Sequence, residues 1–168
     1  MGSCCKDTAC QAEGHDEQSA SSTACPRCGA VGRPVGDETI QAVLKPGFAA
    51  SLAASERRFC RTSSCDVLYY GPDGRFVEKS AATVRVGLKE AEDPVPLCYC
   101  FNFSFADVQR EVAETGGSTI PGRITAEIQA GRCACEVKNP SGACCLGDVH
   151  KAVKDAQEAL DRAPRHVS

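Results

Sequence analysis

The sequence predicts an α+β protein: a small zinc-ribbon-like β lobe followed by a small helical lobe. Three observations carry that prediction. Cysteine supplies 13 of 168 residues, and ten of them fall into an upstream and a downstream group. The β-prone runs lie with the upstream group, and apolar residues at helical spacing lie with the downstream one. Aromatic content is 5% with no tryptophan, so each small lobe needs a staple beyond apolar burial, and bound metal supplies it.

The first 23 residues form a polar, Ser/Ala/Gln-rich tail without helix or strand periodicity, expected to be flexible. This start has no apolar run of signal-peptide length. The expected compartment is therefore the cytoplasm, where thiols stay reduced and paired cysteines hold metal. No run approaches the roughly 18 to 20 apolar residues of a membrane helix, so membrane insertion is not expected. Net charge is -3 with mixed signs, which leaves no electrostatic footprint for nucleic acid.

The upstream lobe is expected over residues 24–94. Cys25-Pro-Arg-Cys28-Gly29 reads as a metal knuckle, with Gly29 free to adopt the positive φ that turns backbone amides toward thiolates. Residues 35–44 suggest a short strand and a helix start, and 46–55 another helical turn or two. Cys60-Arg-Thr-Ser-Ser-Cys65 is a second knuckle. Asp66-Val-Leu-Tyr-Tyr70 is β-prone, Gly71-Pro-Asp-Gly74 a turn, and Arg75-Phe-Val77 the return strand of a hairpin. Thr83-Val-Arg-Val86 alternates in polarity and reads as a further strand. Pro94 and Pro96 punctuate the boundary.

The downstream lobe is expected over residues 95–162, with a polar tail at 163–168. After Cys98-Tyr-Cys100-Phe101, Ser104 and Asp107 have the spacing of a helix-capping box, and Val108 and Val112 mark one face. A second helix is expected from Gly122 to Ala130, with Ile124 and Ile128 one turn apart and Gly131 as terminator. Residues 132–143 read as loop. From about Cys145 a last helix carries Val149, Val153, Ala156 and Leu160.

Two close cysteine pairs, Cys25 with Cys28 and Cys60 with Cys65, can surround one zinc ion tetrahedrally and leave no open position, the mark of a structural site. The functional alternative is an exchangeable copper(I) site, which thiolates also favour. The downstream group opens with Cys98 and Cys100 and closes around Cys133-Ala-Cys135 and Cys144-Cys145, an arrangement that suits a [2Fe-2S] cluster better than zinc. Four cysteines compete there for two positions. Spacing does not separate neighbours, although adjacent Cys144 and Cys145 cannot easily both aim at one cluster. Cys4, Cys5 and Cys10, with His15 nearby, have the composition of a soft-metal hook for copper(I) or mercury(II), or are simply thiols on a solvated tail.

Taken together, Val95-Pro-Leu-Cys98-Tyr-Cys100-Phe, the run from Gly131-Arg-Cys133 through Asn139-Pro-Ser-Gly142 to Cys144-Cys145, and the CPRCG and FCRTSSC knuckles resemble the amino-terminal domain of CopZ-type copper chaperones. The resemblance covers about residues 24 to 155. It implies zinc in the amino lobe and a [2Fe-2S] cluster in a carboxyl lobe related to the bacterioferritin-associated ferredoxin fold. It favours Cys135 and Cys145 as partners of Cys98 and Cys100, leaving Cys133 and Cys144 as free, potentially copper-capturing thiols. Fused members carry a further copper domain with a Met-x-Cys-x-x-Cys loop. The sequence here runs to Ser168 with Met1 as its only methionine, so copper delivery by such a domain is not expected.

The function expected is that of a one-electron carrier in copper or heavy-metal homeostasis, reducing copper(II) to copper(I) for a copper chaperone or copper-transporting ATPase, with an electron donor the sequence does not name. A non-redox thiolate metal-binding or cluster-trafficking module is the alternative, and a purely structural role for both centres the third. No Ser/His/Asp grouping, phosphate-cradling glycine loop or HExxH motif points to hydrolytic or nucleotide chemistry.

Overall fold

Val67-Leu-Tyr-Tyr70 combines branched and aromatic side chains, and all four residues are fully buried in strand β3 (Val67–Tyr70). It is flanked by β2 (Arg57–Phe59) and β4 (Phe76–Glu78), and β1 (Arg33–Val35) completes an antiparallel sheet in the order β1-β2-β3-β4. The computed structural model describes residues 23–52 and 56–162. The polar start with Cys4, Cys5, Cys10 and His15 lies outside the described residues, as does the expected polar tail at 163–168.

The β3–β4 hairpin forms over the expected turn, with Gly74 at φ 79 and Gly71 N–H donating to the Arg75 carbonyl. Register shifts between Val67 and Tyr69. Leu68 and Tyr69 both join an apolar cluster with Ile40, Val43, Leu52, Phe59 and Val77, whereas Val67 and Tyr70 pack with Cys25, Cys60 and Cys65. Both faces of β3 are thereby used, one for the core and one for the cysteines.

Helix α1 (Asp37–Val43) follows β1 and supplies Ile40 and Val43 to the core; residues 49–52 form a 3-10 turn rather than α-helix. The expected strand at Thr83–Val86 is absent. After a 3-10 turn at Lys79–Ala81, the chain crosses α1 instead of returning beside β4: Thr83 N–H donates to the Val43 carbonyl, and Leu44 bridges Ala82. Val86 drops into the core and a second 3-10 turn, Gly87–Lys89, follows at once.

Downstream, β5 (Pro96–Cys98) and β6 (Phe103–Ser104) make a short hairpin that the sequence did not announce, turned at Asn102 with φ 56. Helix α2 (Phe105–Thr115) starts with the expected capping box. Asp107 N–H donates to Ser104 Oγ and Ser104 N–H donates to Asp107 Oδ2 at 2.9 Å. Helix α3 (Ile120–Gln129) begins two residues before its expected start, with Pro121 in its first turn, and ends at Gly131 with φ 69. Within the expected loop 132–143, Cys135–Lys138 closes into a single helical turn, α4.

The long final helix α5 (Leu146–Arg162) lies against α2 and α3. Its Val149 and Ala152 join Leu97, Val108, Val112, Ile120 and Ile124 around Cys98, Cys135 and Cys145, while Val153 and Ala156 flank them half-buried. Leu160, the fourth residue of the expected apolar stripe, is exposed. No described helix is long and apolar enough to cross a membrane.

Candidate metal centres

The first centre is built by the two knuckles. Cys25 N–H donates to the Ala30 carbonyl and Gly29 N–H to the Cys25 carbonyl, with Gly29 at φ 73 as anticipated. This curl aims the Ala30 amide at Cys28 Sγ, and the second knuckle repeats the device with Thr62 N–H toward Cys60 and Val67 N–H toward Cys65. Tyr70 buttresses the arrangement: its hydroxyl donates to the Thr23 carbonyl at 2.6 Å and accepts from Gly32 N–H at 2.8 Å. A Cβ on Gly32 would come within 2.5 Å of that oxygen.

The four sulphurs of Cys25, Cys28, Cys60 and Cys65 all lie within 4.8 Å of one another. Cys28 and Cys60 are 3.6 Å apart, Cys25 and Cys65 4.0 Å. A tetrahedron with Zn–S bonds of about 2.3 Å has S–S edges of about 3.8 Å, so the donor set fits zinc in chemistry and spacing. The site is asymmetric in its protons. Cys28, exposed and facing the Thr62 hydroxyl at 3.3 Å, is held down to about 6 by that group and by the Ala30 amide. Burial pushes Cys60 up to about 12 and raises Cys65.

The second centre gathers the downstream cysteines inside the apolar cluster. Cys100, Cys133 and Cys135 bring their sulphurs within 4.8 Å of one another; Cys135 is 3.7 Å from Cys100 and 3.5 Å from Cys133. Cys98 and Cys145 form a hydrogen-bonded pair beside them, in which Cys98 is the acceptor, lowered to about 6, and Cys145 keeps its proton. Backbone N–H groups aim at these sulphurs too: Ala134 toward Cys100 at 3.4 Å, Phe101 and Cys100 toward Cys98, and Cys145 toward Cys135. Thiolates ringed by amides in an apolar setting are what an anionic cluster needs.

Cys144 is exposed and belongs to neither set of converging sulphurs. Cys145 heads α5, its carbonyl accepting from Val149 N–H, whereas the N-terminus of α2 is answered by its own Asp107.

Several supporting residues were given no structural role by the sequence. Thr39, buried on α1, donates through Oγ1 to the Glu136 carbonyl at 2.5 Å, and Gly142 packs against it. Asn139 accepts from Ser141 N–H and donates to the Ala143 carbonyl, pinning the turn between α4 and Cys145. Thr39 could have been suspected as a polar residue among the apolar positions of its helix.

An antiparallel sheet bearing two facing cysteine knuckles defines a thiolate zinc-binding domain, and comparison with known proteins agrees. The sequence profile of the CopZ "Zinc binding domain" matches residues 22–83. Over 147 residues the chain is 34% identical to the copper chaperone CopZ of Archaeoglobus fulgidus, a match covering 82% of this chain and 70% of that protein. The X-ray structure of the A. fulgidus CopZ N-terminal domain superposes with a TM-score of 0.63 at 29% identity, covering 76% of this chain and 95% of that domain. The chain belongs to the CopZ copper chaperone family.

Proposed function

We propose that this protein is a cytoplasmic zinc and [2Fe-2S] protein of copper handling, in which Cys25, Cys28, Cys60 and Cys65 hold zinc while Cys98, Cys100, Cys135 and Cys145 hold the cluster. The observation that carries this reading is the clustering of the downstream sulphurs as Cys98 with Cys145 and Cys100 with Cys135, set in apolar surroundings with backbone amides facing Cys98, Cys100 and Cys135. Two thiolates per iron is the ligand count of such a centre. The natural division is a zinc lobe over 24–94 and a cluster lobe over 95–162, the latter resembling bacterioferritin-associated ferredoxin.

When bound, the cluster supplies one-electron chemistry. The chain's own residues keep the sulphurs desolvated, direct N–H groups at them and leave Cys133 half-buried at the edge. Copper(II) taking one electron there becomes copper(I), which soft thiolates such as Cys133 and Cys144 hold well, as the tail thiols Cys4, Cys5 and Cys10 also would. The copper(I) then passes to a copper chaperone or copper-transporting ATPase, and a separate donor restores the electron.

A non-redox reading has one observation in its favour. Cys100, Cys133 and Cys135 by themselves present three converging sulphurs, a donor set suited to copper(I). EPR of anaerobically purified protein before and after dithionite separates the two. A silent sample that gains a spin-half signal supports the electron carrier; silence in both states, with zinc the only metal found, overturns it and leaves a thiolate metal-binding module.

A further inference from the structure

The two thiolate groups are bridged by a three-residue turn that belongs to neither. Lys89, at the end of the Gly87–Lys89 turn, is only 6% exposed, and its ammonium donates to the carbonyls of Thr62 at 2.9 Å and Cys65 at 2.8 Å. Both carbonyls are in the second zinc knuckle. The ammonium lies over the Phe59 ring at 5.7 Å, and none of the ion pairs among the described residues reaches it. A buried cation without a carboxylate is costly, and the group nearest to hand that can answer it is the knuckle sulphur of Cys60, which turns anionic once its proton gives way to a metal ion.

At its other end the same turn is held by Tyr99, the residue between Cys98 and Cys100. Gly87 N–H donates to the Tyr99 hydroxyl at 2.7 Å, and that hydroxyl donates to the Arg85 carbonyl at 3.0 Å. Gly87 also lies so close to β5 that a Cβ would come within 1.9 Å of the Pro96 carbonyl oxygen. The Cys98-Tyr99-Cys100 backbone and the Cys60–Cys65 knuckle are thus fastened to opposite ends of one turn.

We propose that Lys89 and Tyr99 couple the two centres, so that zinc in the upstream quartet orders the downstream cysteines. Four thiolates around a divalent ion leave a net charge of minus two, which draws in the Lys89 ammonium and fixes the knuckle carbonyls it binds. Fixing Lys89 fixes the turn, and through the Gly87–Tyr99 bond it fixes the segment that carries Cys98 and Cys100. Without zinc the buried ammonium loses its counter-charge and this end of the turn loosens. Linkage makes the effect reciprocal: metal at the downstream cysteines must strengthen zinc binding by the same factor. Lys89 and Tyr99 are positioning residues and touch no metal themselves. The inference rests on the ligand reading above only in taking both cysteine groups as metal-holding.

The test reads thiol protection and needs no cluster. Full-length reduced protein, stripped of metal, is alkylated with iodoacetamide with and without one equivalent of zinc, and the labelling rates of Cys100 and Cys133 are followed by peptide mass spectrometry. The wild type is expected to show labelling slowed about tenfold by zinc, within the usual range for coupled sites. Tyr99→Phe and Lys89→Met, each carrying one zinc, are expected to show less than about a twofold effect.

Equal labelling with and without zinc in the wild type overturns the coupling, and a full zinc effect in both variants overturns its route. Protection that persists in Cys60→Ser would mean that zinc binds the downstream thiols directly, which also overturns it. Absence of iron from the purified protein would sink the cluster reading while leaving this result standing.

Discussion

The phenolic hydroxyl of Tyr69 donates a buried hydrogen bond of 2.7 Å to the carbonyl of Pro140. Tyr69 belongs to the strand that leaves the second cysteine knuckle, and Pro140 to the turn that leads into Cys145. Burial raises the Tyr69 pKa far above its ordinary value, so the group stays a neutral donor at every pH of interest.

Tyr69→Phe keeps the ring and removes that donor. A buried carbonyl left unpaired costs about 1–3 kcal/mol, and this is the loss expected in urea unfolding of the zinc-loaded protein. Zinc content should stay at one per chain, because the ring still fills the same space.

Replacing single cysteines by serine sorts the downstream ligands. Cys98→Ser, Cys100→Ser, Cys135→Ser and Cys145→Ser should each abolish the visible absorbance and the iron, whereas Cys133→Ser and Cys144→Ser should retain both. Loss of iron in Cys133→Ser with retention in Cys135→Ser would exchange those two assignments, which their 3.5 Å separation makes a sharp comparison.

Zinc binding should release protons, because Cys60 and Cys65 hold theirs at neutral pH while Cys28 has already lost its own. Affinity should therefore rise with pH across the neutral and mildly alkaline range. Below about 6 the dependence should steepen as Cys28 also takes up a proton that the metal must displace. Calorimetric titration in buffers of differing ionisation enthalpy counts the protons released; a pH-independent affinity would contradict the assignment of protons.

Ser104→Ala should destabilise the protein by about 1 kcal/mol at neutral pH through loss of the α2 cap. The Ser104 hydroxyl and amide hold the Asp107 carboxyl below its usual range. A folded-state pKa below the unfolded one gives stability that is present above the unfolded value and lost as pH falls through the folded value. The difference between wild type and variant should accordingly shrink below about pH 4. Thermal unfolding at pH 7 and pH 3 measures it.

Much of the design could be read from local chemistry. The capping box, the Gly71–Gly74 turn and the Gly29 knuckle each depend on residues a few positions apart, and each appears where expected. The cysteine spacing anticipated the convergence of Cys25, Cys28, Cys60 and Cys65 because knuckle geometry is local and only the closure of the two knuckles is not, whereas downstream it did not foresee that Cys133 would join Cys100 and Cys135. Thr83–Val86 misled because alternation implies a strand only where a partner edge exists, and here the chain turns onto α1 instead. The α4 turn escaped because four residues carry too little periodicity to register. Lys89 and Tyr99 were illegible for another reason: their roles lie in contacts with distant residues, and a lysine in a charged stretch looks like solvated surface.

The bond from Thr39 to the Glu136 carbonyl has a bearing on how the molecule is made. A chain emerging from the ribosome exposes α1 and both upstream cysteine knuckles well before residue 136 is synthesised. The amino half can then take its metal and present a finished docking face while the remainder is still being extruded. The turn carrying Cys135 closes afterwards, against a surface already in place. On that order the downstream cysteines gather against a half already formed, and zinc starvation during synthesis is expected to show itself as a defect around them.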